Sequence, residues 1–251
     1  MGSAKNIVLK PISSKRAAAF VKKTHYSGKV VRNSQIHIGV FYKGVLEGCM
    51  QFGPPMDKRR SAALVRGTMW QNFMELNRLA FSDVLPRNSE SRALGIAFRL
   101  LAKHAPQVKW VLSFADATQC GDGTIYRASG FLLTGIKKNN QTFRMPDGSV
   151  MARKSLDHPA HITATGGYGS REALKNGAVP LEGYQFRYVK FVDPSWVGRL
   201  AVDVIPFSQI PPECRMYKGE KLSARPTGGG LPDQGGEGSS RLTRALLSEV
   251  L

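Results

Sequence analysis

The run from Phe73 to Asp116 restricts the fold more than any other part of the chain. "FMELNRLAF" (73–81) has the composition of a strand, and alternation is expected to turn Met74, Leu76 and Arg78 to one face and Glu75, Asn77 and Leu79 to the other. "SDVLPRNSESRALGIAFRLLAKHAP" (82–106) reads as a loop feeding a helix, whose Leu94, Phe98, Leu101 and Ala102 form an apolar stripe that stops before Pro106. "KWVLSFAD" (109–116) is then almost continuously apolar, the pattern of a buried strand. Strand, helix and buried strand in succession call for an α/β sheet with helices packed on it.

The flanking segments extend that sheet. "KNIVLK" (5–10) reads as a short strand, and Ser13 or Ser14 can cap a following helix that carries Ala17, Ala18, Phe20 and Val21. "QIHIGVFY" and "VLEGCMQFG" around Lys43-Gly44 form a hairpin signal closed by Pro54-Pro55. "GDGTIYRASG" (121–130) predicts a short helix ended by Gly130, "FLLTGIKK" (131–138) a strand, and "YQFRYVKFVD" (184–193) another. Residues 146–183, rich in Gly, Pro, His and Lys, are expected to be an inserted loop region within a domain spanning 1–218. Residues 219–240 have the composition of a flexible linker, and 241–251 of a small C-terminal helix.

Charge narrows the partner. The chain carries 36 Lys and Arg against 18 Asp and Glu, a formal +18. Residues 1–110 hold 19 basic and 5 acidic side chains, and residues 111–251 hold 17 and 13. A field so lopsided favours a polyanion, with counterions released for each phosphate neutralised. No stretch approaches a membrane span, and the N-terminus lacks the apolar run of a signal peptide, so the cytoplasm is the expected location. Cys49, Cys120 and Cys214 are widely separated and suggest neither a disulfide framework nor a structural zinc site.

Two motifs carry chemistry, and their order carries a resemblance. In "RALGIA", Arg92, Gly95 and Ala97 stand at the start of the helix after the central strand, where a glycine lets a pyrophosphate approach unpaired helix amides. "YRASGF" places Tyr126 on the short helix that follows. Strand, helix, hairpin, strand, helix, strand, helix, strand, with these motifs in place, resembles the GNAT acyltransferase fold, a mixed central sheet flanked by helices. The family implies acetyl-CoA in the cleft and Tyr126 as the acid that protonates a leaving thiolate; a packing tyrosine is the alternative. "THYSGK", "LPRNSESR", "FADATQCGDGTIYRASGF" and "RYVKFVDPSW" together resemble the Mom family of phage DNA adenine-modification proteins, over most of residues 20–217. That resemblance implies conversion of adenine in double-stranded DNA to its carbamoylmethyl form, which protects the DNA from restriction.

An adenine amine is a weak nucleophile and needs a base as it attacks. Asp116, directly after the apolar strand, is the first candidate, with a loop-capping aspartate as the alternative reading. Glu75 and Asn77 lie on the preceding strand, where the GNAT resemblance implies a base or a donor-binding group, with structural hydrogen bonds as the alternative reading. In the cluster "KKTHYSGKVVRN", His25 and Tyr26 are expected at the acceptor side with Ser27 as a polar contact, and Lys22, Lys23, Lys29 and Arg32, together with Lys58 to Arg60, are suited to grip backbone around an extruded base. Tyr26 or Trp70 can stack on that base. The Mom resemblance also implies a possible iron site at His25, Tyr26 and Asp116. Acetyl-CoA alone would not supply the amide nitrogen of the carbamoylmethyl mark, whereas glycyl-tRNA carries every atom needed, and tRNA also fits the positive charge. A conventional N-acetyltransferase and a non-catalytic nucleic-acid-binding module are the rival readings.

Overall fold

The Ser13 hydroxyl accepts from the Arg16 amide and starts α1 (Ser14–Thr24), which crosses one face of the sheet. The computed structural model describes residues 3–118, 121–217 and 220–221. Its strands in chain order are β1 (Val8–Pro11), β2 (Ile36–Tyr42), β3 (Val45–Gly53), β4 (Phe73–Phe81), β5 (Trp110–Asp116) and β6 (Leu132–Lys138), with the longer helices α1 and α3 (Ser89–His104) and the short α2 (Lys58–Ala62) and α4 (Thr124–Ala128) between them. The β2–β3 turn puts Lys43 and Gly44 at positive φ, as a tight hairpin requires.

An inserted unit follows β6, comprising β7 (Thr142–Arg144), β8 (Val150–Ala152), α5 (Arg153–Leu156), α6 (Pro159–Ala164), α7 (Ser170–Lys175) and β9 (Val179–Pro180). Then β10 (Tyr184–Phe191) returns to the main sheet, whose seven strands run in the order β1-β2-β3-β4-β5-β10-β6. β4 and β5 are parallel and the remaining neighbours antiparallel, so the sheet is mixed. The element order expected for the acyltransferase fold is therefore found. The inserted unit is not a plain loop: β8-β7-β9 form a small sheet, and Phe143, Met145, Leu156, Ala173 and Ala178 close a core of their own.

Two features position the site. β4 and β5 pair only at Phe73–Trp110, Met74–Val111 and Glu75–Leu112, and beyond those three pairs the strands diverge into a fork. β4 also carries a bulge. Phe52 faces Leu76 and Gln51 faces Arg78, which leaves Asn77 as the extra residue and inverts the alternation after it. Leu79 accordingly joins Met74 and Leu76 on the α3 face, and Arg78 turns to the α1 face, where its guanidinium donates to the Lys29 carbonyl. Strict alternation predicts the opposite for both residues, because it has no place for the extra one.

Each face of the sheet has its own core. Ala93, Leu94, Ala97, Phe98 and Leu101 of α3 pack on Met50, Phe52, Leu76, Val111 and Ala115. On the other face, Ala17 and Val21 of α1 meet Cys49 and Ala80, while Leu64 and Val65 meet Phe73, Trp110 and Leu112. Cys49 and Cys214 are buried free thiols. The linker and C-terminal helix expected after residue 218 lie outside the described residues, apart from Glu220 and Lys221, which pair with Met216 and Tyr217. Among the described residues no helix is long and apolar enough to cross a membrane.

Candidate active site at the strand fork

Arg78 is the hub of the α1 side of the fork. Its Nε donates to Lys29 O at 2.8 Å and its Nη1 to Asn77 O at 2.6 Å, tying the segment after α1 to the bulge. Burial pulls its pKa below the ordinary value, while Tyr26, Glu75 and Tyr126 act in the opposite sense, so two phenols and a carboxyl lie within electrostatic reach of one guanidinium. Glu75 stands at the last paired position before the strands part. Its burial raises the carboxyl above its usual range, opposed by a hydrogen bond with Asn77 and by Arg78. Asn77 in turn accepts from the Ser34 hydroxyl at 3.1 Å.

His25 caps the C-terminus of α1 and lies against Tyr26, the rings tilted by 32° with centroids 4.2 Å apart. The Ser27 amide donates to His25 Nδ1 at 3.2 Å, with the Ser27 hydroxyl 2.9 Å from the same atom. An amide N–H can only donate, so the neutral imidazole carries its proton on Nε2. Burial, helped by Arg78, lowers the His25 pKa to about 4. The sign for stability follows. Between pH 6.5 and about 4 the unfolded chain takes up a proton that the folded chain refuses, so stability falls as pH drops through that window and is constant above it. We expect urea midpoints to decline more between pH 7.5 and 5 for the wild type than for His25→Gln. Equal declines would remove this assignment.

Asp116 ends β5 with its Oδ1 accepting from the Thr118 amide at 3.1 Å and from Asn139 Nδ2 at 3.2 Å. It thereby fastens the loop after β5 to the base of the inserted unit, a contact the sequence offered no means to see. Tyr126 packs between Phe131 and Tyr188, with centroids 5.1 and 5.2 Å away. Lys22, Lys23 and Arg32 are exposed, as is Lys29, whose ammonium donates to the Ser155 hydroxyl of α5 at 2.7 Å.

A second basic site lies at the N-terminus of α3. Arg92, Gly95 and Ser91 line a cleft of about 640 Å³ together with Lys5, Arg87, Asn88 and Arg99. A Cβ on Gly95 would meet nothing nearer than the Arg99 guanidinium at 3.9 Å, so packing does not demand glycine there; its effect is to leave the cleft floor open. Ala97 faces the other way and is fully buried against the sheet, so its part is to bring α3 close and not to line the cleft. Lys5, Arg87 and Arg99 were missed by sequence reading, since each comes from a different turn and only the fold collects them.

Iron fares less well. Among the described residues no three His, Cys, Asp or Glu side chains come together as a metal group. The imidazole that would bind has Nδ1 engaged by Ser27 and a guanidinium beside it. Nothing in this arrangement supports iron at His25, Tyr26 and Asp116.

A mixed sheet forked between β4 and β5, with a basic helix N-terminus on one side and a polar cluster on the other, is the arrangement expected of the GNAT acyltransferase fold. The Mom protein family model matches residues 6–209, and the chain belongs to that family. It is 34% identical over 208 residues to the methylcarbamoylase Mom of Escherichia phage Mu, covering 82% of this chain and 84% of that protein. Among solved structures, the ribosomal-protein-S18-alanine N-acetyltransferase of Escherichia coli matches 74% of this chain and 94% of its own at 11% identity and a TM-score of 0.43. FeeM, an N-acyl amino acid synthase from uncultured soil microbes, matches 78% and 95% at 14% identity and a TM-score of 0.43. At such scores these two say nothing about substrate or donor.

Proposed function

We propose that the protein is a DNA-modifying transferase that acts on the exocyclic amine of adenine in duplex DNA and leaves a carbamoylmethyl group there, shielding the DNA from restriction. The observation that carries the reading is the cluster of His25, Tyr26, Glu75 and Arg78 over the fork, in a chain of the Mom family with a strongly basic N-terminal part. The adenine enters on the Tyr26 side, where the half-exposed ring offers a stacking face. Glu75 takes the proton from the amine as nitrogen attacks the donor carbonyl, its raised pKa making it a better base than an ordinary carboxylate. The Nε2–H of His25 and the Arg78 guanidinium are suited to the oxygen that gains charge. Tyr126, on the side of the α3 cleft, returns a proton to the leaving group.

The donor is an acyl compound bearing phosphate, for which Arg87, Arg92, Arg99 and the open floor at Gly95 are suited. Both acetyl-CoA and glycyl-tRNA meet that description. A glycyl group accounts for the product: once it is on the amine, its own amino group attacks ring carbon 6, the first nitrogen departs as the amide, and a carbamoylmethylamine remains with no atom added or lost. Mass spectrometry of nucleosides from DNA of cells that express the protein tests the function. A new adenine nucleoside heavier by the carbamoylmethyl group is expected. Unmodified adenine, or acetylated protein or small-molecule amines in its place, would overturn the reading in favour of a conventional acetyltransferase.

A further inference from the structure

The tip between β3 and α2 is a distinctive part of the surface. Pro54 and Pro55 fix the backbone immediately before Met56, and Met56 itself is 78% exposed. A long apolar side chain held out by two prolines gains nothing from folding. Its surroundings are basic: Lys58, Arg59 and Arg60 follow on α2, all exposed, and Lys154 of the inserted unit donates to the Met56 sulfur. Asp57 pairs with Arg60, whereas Lys58 and Arg59 make no ion pair among the described residues. On the far side of the tip Trp70, 77% exposed, lines a groove with Pro54, Pro55 and Lys58, so the apolar edge continues past the methionine.

The tip is also joined to the fork. Gly53, the residue before the prolines, lies against Asn77 so closely that a Cβ would come within 2.7 Å of its Oδ1. Lys154 neighbours Ser155, which holds Lys29, whose carbonyl holds Arg78. Tip, inserted unit and the segment carrying His25 and Tyr26 thus border one mouth.

We infer that Met56 is the wedge that enters the base stack of duplex DNA and opens it beside the target adenine, while Lys58, Arg59 and Lys154 hold the phosphates on either side. An apolar wedge flanked by cations is the combination that unstacking requires, because the cost of opening a step is offset by backbone contacts. The inference rests on the DNA-modifying reading.

The test uses the full chain and oligonucleotide duplexes containing a site that the wild type modifies, with the target adenine opposite either thymine or an abasic site. For Met56→Ala, product from the paired duplex is expected to fall at least about tenfold, since nothing then fills the opened step. Product from the abasic duplex, whose adenine has no pairing to break and is far more easily displaced, should stay within about twofold of wild type, and Met56→Leu should retain activity on both. Undiminished activity of Met56→Ala on the paired duplex, or equal loss on the two substrates, would overturn the wedge. If the wild type modifies adenine in no DNA at all, the parent reading fails first and the wedge with it.

Discussion

Glu75→Gln is expected to lower formation of the modified nucleoside by about 10²–10⁴-fold, the usual contribution of a positioned general base, while DNA affinity and its salt dependence stay as in the wild type. Glutamine keeps the shape and the hydrogen bond with Asn77 but cannot accept the proton. In the wild type the acid limb of the rate profile should lie above the ordinary carboxylate range, because burial raises the Glu75 pKa and activity is lost as pH falls through it. Asp116→Asn gives the contrast. Its oxygen accepts from Thr118 and Asn139, and an amide oxygen can keep both bonds, so a milder loss is expected. Should Asp116→Asn abolish product with binding and stability intact, and Glu75→Gln be tolerated, the base is Asp116.

The second large effect concerns stability. Trp110 is fully buried, stacks on Phe73 with centroids 4.7 Å apart, and donates from Nε1 to the Thr68 hydroxyl at 3.1 Å. The same two residues form the first of the three pairs that join β4 to β5. Trp110→Ala removes the stack from the closed end of the fork and is expected to destabilise the fold by about 3–5 kcal/mol, read as a lowered denaturant midpoint. Trp110→Phe keeps most of the ring and should lose less. Equal losses for the two would show that the stack contributes little.

Much of the scaffold was legible because it rests on local signals. The Ser13 cap, the Lys43-Gly44 turn, the α3 stripe and the buried run of β5 each declare themselves within a dozen residues. Site residues fared unevenly. His25 and Tyr26 stand out in the sequence through the family resemblance their segment carries, and the fold sets them within reach of Arg78. Arg78 was read as one face of a regular strand, and its place at the hub depends on a bulge set by the pairing of β4 with β3 across a long sequence separation. The inserted unit was hidden for another reason: its core is five side chains drawn from short elements, too few to leave a periodic trace among its glycines and polar residues.

The inserted unit leaves the main sheet at Lys138 and rejoins it at Tyr184, two residues paired with each other, and the Asn139 amide donates to the Gly183 carbonyl just beyond them. Everything between is a stalked bud on an already closed ladder. A change of length in that bud would re-register no strand beneath it. Lys29, Met56 and Asp116 all bond to it, so a change in the bud reaches the segment after α1, the β3–α2 tip and the end of β5 while the ladder itself keeps its register.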